Sequence, residues 1–452
     1  MKKNISLLMA IGLIMPMATM VISCGNEVLP DKPIVVTDSG KVNDKSFNES
    51  AFNSVNQFIF DRTGIKSSHN YVETAANNPE AFRNAYAATS LLQASTFILP
   101  GFNHANTIGG YQGATSTAAD IDANVIWIDS STDSSYVDSG KSVLATNPDG
   151  DKDEINIIGN EQYDNLIGIT FNTDLAGIYA GIATAAYLNL NDINVTSEHV
   201  IGMFGGMPNK YSVNNFLWGI AVGARIWNIY TDAEKQTDSW KELIESFNLD
   251  ANKLEPILIT NGISKFLPEK ALNTNNMDWF SGNFDVGGGT AKANQLISQK
   301  TDAGIAVAGP QTLDIINSGI PYILGVDTDQ SELYSAGNFI TSVEKNIYLA
   351  AYDVMNLVDP LGVDYNNSDT SATKEILGKH VTSNKWSAIS TDGKNKITST
   401  EYDLILKALD PEKLQDAHQI YLDLDSFLLS DAMNKVSDAA NVITSSTNEG
   451  SY

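Results

Sequence analysis

Short apolar runs rich in β-branched residues alternate along this chain with longer stretches whose apolar residues recur at helical spacing. The apolar runs lie at Ile34–Val36, Thr96–Leu99, Val125–Ile128, Ile167–Phe171, Val200–Phe204, Gly304–Val307 and Tyr322–Val326. The helical stretches that separate most of them lie at Ser46–Phe60, Pro79–Gln93, Leu175–Leu188, Val213–Tyr230 and Ala291–Lys300. Because buried parallel strands are continuously apolar and are joined by helices, the pattern predicts an α/β chain with mostly parallel sheets flanked by helices.

Small or acidic residues follow several of these apolar runs, either directly or one residue later. They are Asp38, Gly101, Asp129, Gly205 with Gly206, Gly309 and Asp327. In open parallel sheets the ligand crevice lies beyond the carboxyl ends of the strands, so these residues are predicted to gather around one cleft. Turns also select Gly and Asp, and for any single residue of the set that explanation stays open.

The composition narrows the class of partner. With 452 residues, of which 42% are hydrophobic, the chain is long enough for a large core divided over two lobes. The net charge of -26 would repel nucleic acid over most of the surface. Composition therefore predicts no nucleic-acid partner and leaves a neutral small molecule open.

The amino-terminal residues read as an export signal. Lys2 and Lys3 precede a short apolar stretch that ends in small residues at Ser23 and Cys24, the only cysteine of the chain. This junction resembles a bacterial lipobox, which implies cleavage before Cys24 and lipidation of its sulfur, so that the protein is anchored to the outer face of a membrane. The alternative is a chance cysteine in a plain signal peptide. In either case no thiol remains for disulfides, metal binding or catalysis.

The stretch VVTDSGKVNDKSFNESAF, residues 35–52, joins the first strand to the first helix. Ser46 and Glu49 have the spacing of a capping box. A helical projection of residues 47–60 places Phe47 and Phe58 on one apolar arc with Phe52 at its margin. Phe47 is therefore predicted to pack in the core, and Phe52 to present its ring to a ligand in the cleft.

This stretch, followed in order by further motifs, resembles the opening of the basic membrane protein family, whose best understood members are purine nucleoside receptor lipoproteins that supply ABC transporters. The further motifs are GITFNTDLAGIYAGIATA, VIGMFGGMPNKYSVNNFLWGIAVGA, QKTDAGIAVAG, LGVDTDQ and FITSVEKN, and together they cover roughly residues 33–355. The resemblance implies a two-lobed periplasmic-binding-protein type I fold that closes on a nucleoside. It also implies a separate permease and a separate ATPase as transporter partners.

The resemblance further implies which residues contact the base. Asn43 and Asp44 match residues that hydrogen-bond it. Phe52 matches an aromatic residue that stacks on one face, and Phe216 matches the aromatic residue on the other face. For Phe216, packing in the core of an amphipathic helix is the alternative.

Four more positions match contacts of the family. Asp129 matches an acid near the base, and Gly309 matches a close approach of the backbone. Asp327 and Lys345 resemble the pair that holds the ribose hydroxyl groups. Turn capping by the two aspartates and a solvated surface position for Lys345 are the alternatives.

The chain departs from the family pattern close to Gly309. Where the family usually has a glycine-rich AGGTG stretch, this chain reads AVAGPQTL, and its glycine run, residues 287–289, lies earlier. The departure leaves open whether the pocket prefers a purine.

Motifs for catalysis and cofactors are incomplete. SGKS at residues 139–142 has Ser135 where a P-loop requires glycine. The segment that begins at Ser390 resembles half of an EF-hand, but Lys394 occupies a ligand position and Asn395 that of the usual glycine. The histidines are scattered without metal-ligand spacing, and no GxSxG is present. The sequence therefore predicts a protein that is not an enzyme and that needs neither metal nor cofactor.

The sequence as a whole predicts five segments and one function. A signal peptide over residues 1–23 and a tether over 24–32 precede a first lobe over 33–168 and a second lobe over 169–337; residues 338–452 return to the first lobe and add a divergent tail. The predicted function is a lipid-anchored receptor on the outer face of the cell membrane that delivers a nucleoside to an ABC transporter. A receptor for a sugar or other small polar solute is the alternative within the same fold. A surface adhesin that has lost transport is the alternative outside it, and a nucleoside hydrolase is the least favoured.

Overall fold

The computed structural model describes residues 32–38, 41–43, 47–109, 118–132, 141–191, 198–268, 276–358 and 375–409, and the structural statements below concern these ranges. Cys24, Asp44 and Ser46, on which parts of the sequence analysis depend, lie outside them. Across the ranges described, no helix has both the length and the hydropathy that crossing a bilayer requires.

The secondary structure alternates between strands and helices. The strands are β1 (Pro33–Val36), β2 (Tyr71–Val72), β3 (Thr96–Pro100), β4 (Asn124–Ile128), β5 (Lys141–Thr146), β6 (Lys152–Asn160), β7 (Leu166–Ile169), β8 (His199–Gly205), β9 (Ile257–Thr260), β10 (Lys265–Phe266), β11 (Ala303–Val307), β12 (Tyr322–Asp327), β13 (Phe339–Lys345), β14 (Lys379–Thr382) and β15 (Ser387–Ile389). The α-helices are α1 (Phe47–Thr63), α2 (Pro79–Leu91), α3 (Thr173–Leu190), α4 (Asn215–Tyr230), α5 (Asp238–Ser246), α6 (Thr290–Ser298), α7 (Thr312–Ser318), α8 (Gln330–Leu333), α9 (Ile347–Val358) and α10 (Ser399–Ala408). Short 3-10 turns lie at Phe102–Asn106, Ala118–Asp120, Ala233–Lys235, Asn276–Trp279, Gly309–Gln311 and Asn384–Trp386.

The first lobe is built around an eight-stranded sheet in the order β2-β1-β3-β4-β7-β14-β6-β5. The strands from β2 to β14 run parallel, and β6 and β5 close one edge as an antiparallel hairpin. Successive strand residues point to opposite faces, so Val35 and Ile98 pack with α1 and α9 while Ile34 and Phe97 pack with α2. Both faces of the sheet are therefore covered.

The second lobe contains a seven-stranded sheet in the order β10-β9-β8-β11-β12-β13-β15. Its central strands run parallel, and the short edge strands β10 and β15 are antiparallel to their neighbours. Ile305 and Leu324 face the core that α3, α4, α5 and α10 cover, and Ala306 and Ile323 face α6 and α7. The predicted α/β fold with two lobes of mostly parallel sheets is confirmed.

The last part of the chain contributes to both lobes, which differs from the expected boundary at residue 337. Strand β13 pairs in parallel with β12 in the second sheet, and β15 pairs with β13. Helix α9 and strand β14 belong to the first lobe, whereas α10 packs on α3 and α5 in the second. The hairpin β5–β6 is not among the predicted apolar runs, because buried and exposed positions alternate along both strands and neither strand is continuously apolar.

Within the described ranges the chain passes between the lobes at residues 170–172, at Asn346 and at residues 383–386. These segments are bonded to one another: the Asn346 amide donates to the Trp386 carbonyl at 2.8 Å, and the Asn172 side chain donates to Asn384 at 2.6 Å. The crossings thus form one connected unit.

Helices α3 and α4 pack in unusually close contact through glycines. A Cβ on Gly223 would lie 2.3 Å from the Ile178 carbonyl oxygen, and one on Gly181 would lie 2.5 Å from the Ile220 carbonyl oxygen. Only glycine at these positions lets the two backbones approach this closely. Because α4 begins at the cleft, this packing also sets where its first residues lie.

Gly223→Ala should lower the free energy of unfolding by about 1–3 kcal/mol, because the added methyl group overpacks the helix interface. In an ordinary helix interior the same change stabilises by about 1 kcal/mol. Gly177→Ala is the matched control, since its Cβ would lie 3.0 Å from the Gly219 Cα and should be tolerated better. Urea denaturation of both variants and the parent gives the comparison. A Gly223→Ala protein as stable as the parent would contradict the close packing of α3 and α4.

Candidate functional site

Two aspartates, one from each lobe, occupy the strand ends that face the cleft. Asp129 directly follows β4 of the first lobe and has φ +70°, and Asp327 is the last residue of β12 in the second lobe and has φ +67°. Left-handed backbone is uncommon outside glycine, but Asp tolerates it better than most residues. At each strand end the chain turns sharply, and the side chain is directed away from the line of the strand.

Lys345, at the end of β13, joins the two aspartates. Its ammonium nitrogen lies 2.9 Å from both carboxylate oxygens of Asp129 and 3.7 Å from Asp327 Oδ1. The side chains of Lys345 and Asp129 are 1% and 0% exposed. Because Lys345 belongs to the second lobe and Asp129 to the first, this is a fully buried ion pair between the lobes.

Ser212 completes the polar cluster. Its hydroxyl donates to Asp129 Oδ2, and its carbonyl accepts from Lys345 Nζ at 3.1 Å. Ser212 lies in a π-helical turn, Lys210–Asn214, in which the Asn214 amide donates to the Asn209 carbonyl at 2.9 Å. Such turns are rare and frequent at functional sites; here the turn places a serine at the start of α4 against the opposite lobe.

Three phenylalanine rings surround the Lys345 ammonium. The ring centroids of Phe216, Phe47 and Phe171 lie 4.9, 5.4 and 6.0 Å from Nζ. Phe47 begins α1 of the first lobe, Phe171 lies in a crossing segment, and Phe216 is a fully buried residue of α4. The cluster therefore combines a charged centre with aromatic walls from both lobes and the hinge.

The electrostatics of the cluster are set by burial. Burial raises the pKa of the Asp129 carboxyl, while the Lys345 ammonium and the Ser212 hydroxyl oppose the rise. Burial also raises the pKa of Asp327 to about 6; Lys345 opposes this shift, and the neighbouring Asp129 carboxylate adds to it. With both acids ionised, one lysine faces two carboxylates, and the cluster has a net charge of −1. Such a centre accepts hydrogen bonds from hydroxyl groups and repels phosphate.

The remaining predicted site residues are placed less centrally. Asn43 lies in an exposed turn, and Asp44 lies outside the described residues. Gly309 follows β11 with φ +45° and accepts a hydrogen bond from Gln330 Nε2 at 3.3 Å. The ring of Phe52 packs edge-on against Tyr71 of edge strand β2, with centroids 5.2 Å apart. The structure thus brings together Asp129, Phe216, Asp327 and Lys345, and shows Phe52 in contact with the sheet edge.

Sequence reasoning missed Ser212, Phe47 and Phe171. Phe47 shares an apolar arc with core residues, but it is the first residue of α1, and its ring lies beside Lys345. Its position at the amino end of a helix next to the cleft was a signal that the helical projection ignored. Ser212 lies in a π-helical turn, for which hydrophobic periodicity gives no signal. Phe171 ends the predicted apolar run Ile167–Phe171, in which the pattern does not distinguish a residue of the site from a core residue.

A second contact joins the lobes through aromatic rings. Phe102 follows β3 of the first lobe, Phe284 lies in the loop before α6 of the second, and their centroids are 5.6 Å apart. Lys345 lies on β13, and Phe284 packs on Gly206, the residue after β8. In the second sheet β13 and β8 are three strand positions apart. At about 4.8 Å per strand, the two contacts lie roughly 14 Å apart across the strand ends.

The motifs judged incomplete in the sequence have structural roles. Glu401 closes a capping box with Thr398 at the start of α10, and Lys394 pairs with Glu332 at 3.3 Å. Lys141 and Ser142 of SGKS begin the edge strand β5, and the two residues before them lie outside the described ranges. No group of three or more His, Cys, Asp or Glu side chains in the described part of the chain is arranged to hold a metal ion.

Comparison with known proteins shows a likeness of fold alone. No family model and no curated protein matches the sequence. An ABC transporter solute-binding protein from Aeropyrum pernix K1 aligns with 89% of this chain and 92% of its own length at 14% identity and a TM-score of 0.49. A solute binding protein from Clostridium phytofermentans with bound β-D-glucose aligns over 83% and 96% at 13% identity and a TM-score of 0.44. The arabinose-binding protein AraP from Geobacillus stearothermophilus aligns over 83% and 99% at 11% identity and a TM-score of 0.45. Likeness at this level assigns neither a family nor a ligand to this chain.

The raised pKa of Asp327 predicts a pH-dependent stability. In the unfolded chain an aspartate ionises near pH 3.9, whereas folded Asp327 has a pKa of about 6. The folded state therefore binds this proton more tightly, and its stability should rise by about 1 kcal/mol between pH 7 and pH 5 and fall again as the pH increases. Asp327→Asn should lack this component in urea unfolding at both pH values, whereas Asp403→Asn, an exposed control in α10, should retain it. A parent and an Asp327→Asn protein with the same pH dependence would contradict the raised pKa of the Asp327 carboxyl.

Proposed function

We propose that this protein is a lipid-anchored receptor on the outer face of the cell membrane that binds a nucleoside, with a purine preferred, between its lobes and delivers it to an ABC transporter. The observation that carries the proposal is the Asp129–Lys345–Asp327 cluster, in which a buried ion pair between the lobes adjoins the partly exposed Asp327, with phenylalanine rings around the Lys345 ammonium. The motifs of the family resemblance and this cluster support the same ligand class, and the two-lobed fold supplies the cleft in which such a ligand would bind.

The chemistry of the cluster suits a neutral ligand with vicinal hydroxyl groups and an aromatic base. Carboxylates accept strong hydrogen bonds from hydroxyl groups in a dry site, and Lys345 donates to ring or hydroxyl oxygens. The phenylalanine rings of Phe47 and Phe216, from opposite lobes, provide faces on which a base can stack. The net charge of −1 disfavours nucleotides, whose phosphates would meet the carboxylates of Asp129 and Asp327.

Closure follows from the same contacts. Asp129 and Phe47 belong to the first lobe, whereas Asp327, Lys345 and Phe216 belong to the second. A ligand that touches both sets stabilises the closed state by its differential affinity for it. The connected crossing segments provide the hinge about which the lobes close.

Binding measurements decide the ligand class. Isothermal titration of the purified protein with inosine, guanosine, adenosine, ribose and glucose should show affinity for a nucleoside, in the submicromolar range, and weak binding of the free sugars. Affinity for ribose or glucose with indifference to nucleosides would replace the proposal by a sugar receptor. Release of free base from inosine would identify a hydrolase, and binding of none of these solutes would remove the receptor function.

Phe216→Ala and Phe47→Ala should each weaken nucleoside binding by about 1–3 kcal/mol, the contribution of one stacked aromatic ring. Phe52→Ala tests a different residue for the face of the base opposite Phe216. The family resemblance assigns Phe52 to that face, whereas the structure places the ring of Phe47 beside Lys345. If Phe52→Ala loses as much affinity as Phe47→Ala, Phe52 is part of the site; an unchanged affinity restricts it to packing on Tyr71. Full affinity in both Phe216→Ala and Phe47→Ala would contradict stacking at the cluster. Thermal melting of each variant controls for folding.

Cys24→Ser should release the protein from the membrane, because the lipid-bearing thiol is lost and a folded domain of high net charge has little affinity for a bilayer. Cells expressing the parent should retain the protein in the detergent phase after phase separation with a mild detergent, and the variant should move to the aqueous phase. Ser23→Ala, which keeps the thiol, serves as the control. Retention of the Cys24→Ser protein in the detergent phase would contradict lipidation at this residue.

A further inference from the structure

Gln330 has a buried side-chain amide and lies next to the proposed ligand-binding site. It is the first residue of α8, three positions after Asp327, and only 4% of its surface is exposed. It is also the last residue of the LGVDTDQ motif. Asp327 is the only residue of that motif to which the family resemblance assigns a contact with the ligand.

The Gln330 side chain uses both ends of its amide. Its Oε1 accepts from the Thr312 hydroxyl at 2.8 Å and from the Val326 amide at 3.1 Å. Its Nε2 donates to the Gly309 carbonyl at 3.3 Å, and its own backbone amide donates to the Ser342 hydroxyl at 3.2 Å. The amide therefore acts as an acceptor and a donor at once.

Three of these partners lie on or just after adjacent strands, at the edge that faces the cleft, and the fourth, Thr312, begins α7. Gly309 follows β11, Val326 precedes Asp327 at the end of β12, and Ser342 lies three residues before Lys345 on β13. Gln330 thus connects the turn at Gly309 with the strand ends that carry Asp327 and Lys345.

The space between Gln330 and the sheet is closed, which fixes the amide in place. A Cβ on Gly325 would lie 2.2 Å from Ser342 Oγ and 3.0 Å from Gln330 Cβ. On the outer side, Asn395 donates to Asp329 Oδ2 at 3.0 Å, and Asp329 Oδ1 accepts from the Ser331 amide at 3.0 Å. Gln330 is therefore held from both sides.

We propose that Gln330 is a positioning residue that holds the Asp327 carboxylate and the Gly309 carbonyl in the geometry that ligand binding requires. This role rests on the proposed function, and inosine is the probe. Asp327 adopts a left-handed backbone at φ +67°, and the Val326 amide next to it is fixed by Gln330 Oε1. Loss of the amide frees the backbone that aims this carboxylate, although Gln330 itself need not touch the ligand.

Gln330→Ala should raise the Kd for inosine about tenfold, as expected when hydrogen bonds that order a site are lost. Gln236→Ala is the matched control. Gln236 is also a buried amide of the second lobe, and its Nε2 donates to the Tyr230 and Ala251 carbonyls at 2.9 Å, at the end of α4 remote from the strand ends. We expect both variants to melt at a lower temperature, and only Gln330→Ala to lose affinity.

Gln330→Glu provides a measurement that a merely structural role would not change. At pH 7 a carboxylate can accept from Thr312 and Val326 but cannot donate to Gly309, whereas a protonated carboxyl can do both. Burial favours the protonated form, so lowering the pH to 5 should restore the donor. The Kd ratio of Gln330→Glu to the parent should fall from about tenfold towards one between pH 7 and pH 5, while the ratio for Gln330→Ala stays constant.

Two results would overturn the positioning role: equal loss of inosine affinity in Gln330→Ala and Gln236→Ala, or unchanged affinity in Gln330→Ala. If the parent itself binds no nucleoside, the proposed function fails, and a measurement without ligand tests whether Gln330 positions Asp327.

For that measurement, the difference in the free energy of unfolding between the parent and Asp327→Asn is determined at pH 5 and pH 7. The same difference is then determined in proteins that also carry Gln330→Ala. A changed difference supports the positioning of Asp327 by Gln330, and an identical one contradicts it.

Discussion

The ion pair between Asp129 and Lys345 is the interaction on which the arrangement of the lobes depends. Removing an ammonium and a carboxylate from water costs several kcal/mol for each ion, and the loss is offset only by close pairing and further hydrogen bonds. Here the ammonium contacts both carboxylate oxygens at 2.9 Å. The Ser212 hydroxyl donates to the carboxylate, and the Ser212 carbonyl accepts from the ammonium. Because the two partners come from different lobes, small shifts of one lobe would leave buried charges uncompensated. The pair therefore specifies relative position more than it adds stability.

Under the proposed function, the same constraint determines which solutes the cleft can accept. A ligand that enters between Asp129, Asp327 and Lys345 must replace contacts between charges by hydrogen bonds of comparable strength, and hydroxyl groups do this without changing the charge of the site. An anionic ligand would add charge to a centre that already has one carboxylate in excess. The phenylalanine rings on the other side of Lys345 exclude water and favour a flat, apolar surface. A ligand with hydroxyl groups at one end and an aromatic face at the other meets the requirements of both the charged centre and the phenylalanine rings.

The sequence predicts the fold better than it predicts the site, for physical reasons. Central strands such as β4 and β12 are buried on both faces, so their apolar runs are continuous, and the aspartates that end them follow directly from the pattern. Lys345 was found only through the family resemblance, because a lysine after a glutamate gives no sign of burial. Strands β14 and β15 are three or four residues long, too short for periodicity. Phe47 and Ser212 depend on where a helix begins in relation to the opposite lobe, which no local pattern encodes.

Because the site residues lie at strand ends, neighbouring residues must fix their backbone by packing and hydrogen bonds. Asp327 leaves its strand with a left-handed backbone, which is less favourable for aspartate than for glycine and persists only where neighbouring groups determine it. Gln330 supplies such neighbours by bonding adjacent strand ends to one another, and the α3–α4 contact does the same for the start of α4 and thus for Ser212. The residues of the second lobe that face the cleft are therefore fixed by packing and hydrogen bonds within that lobe. In the proposed receptor, that lobe would move as one body about the crossing segments, so that its contacts to Asp129 form or break together.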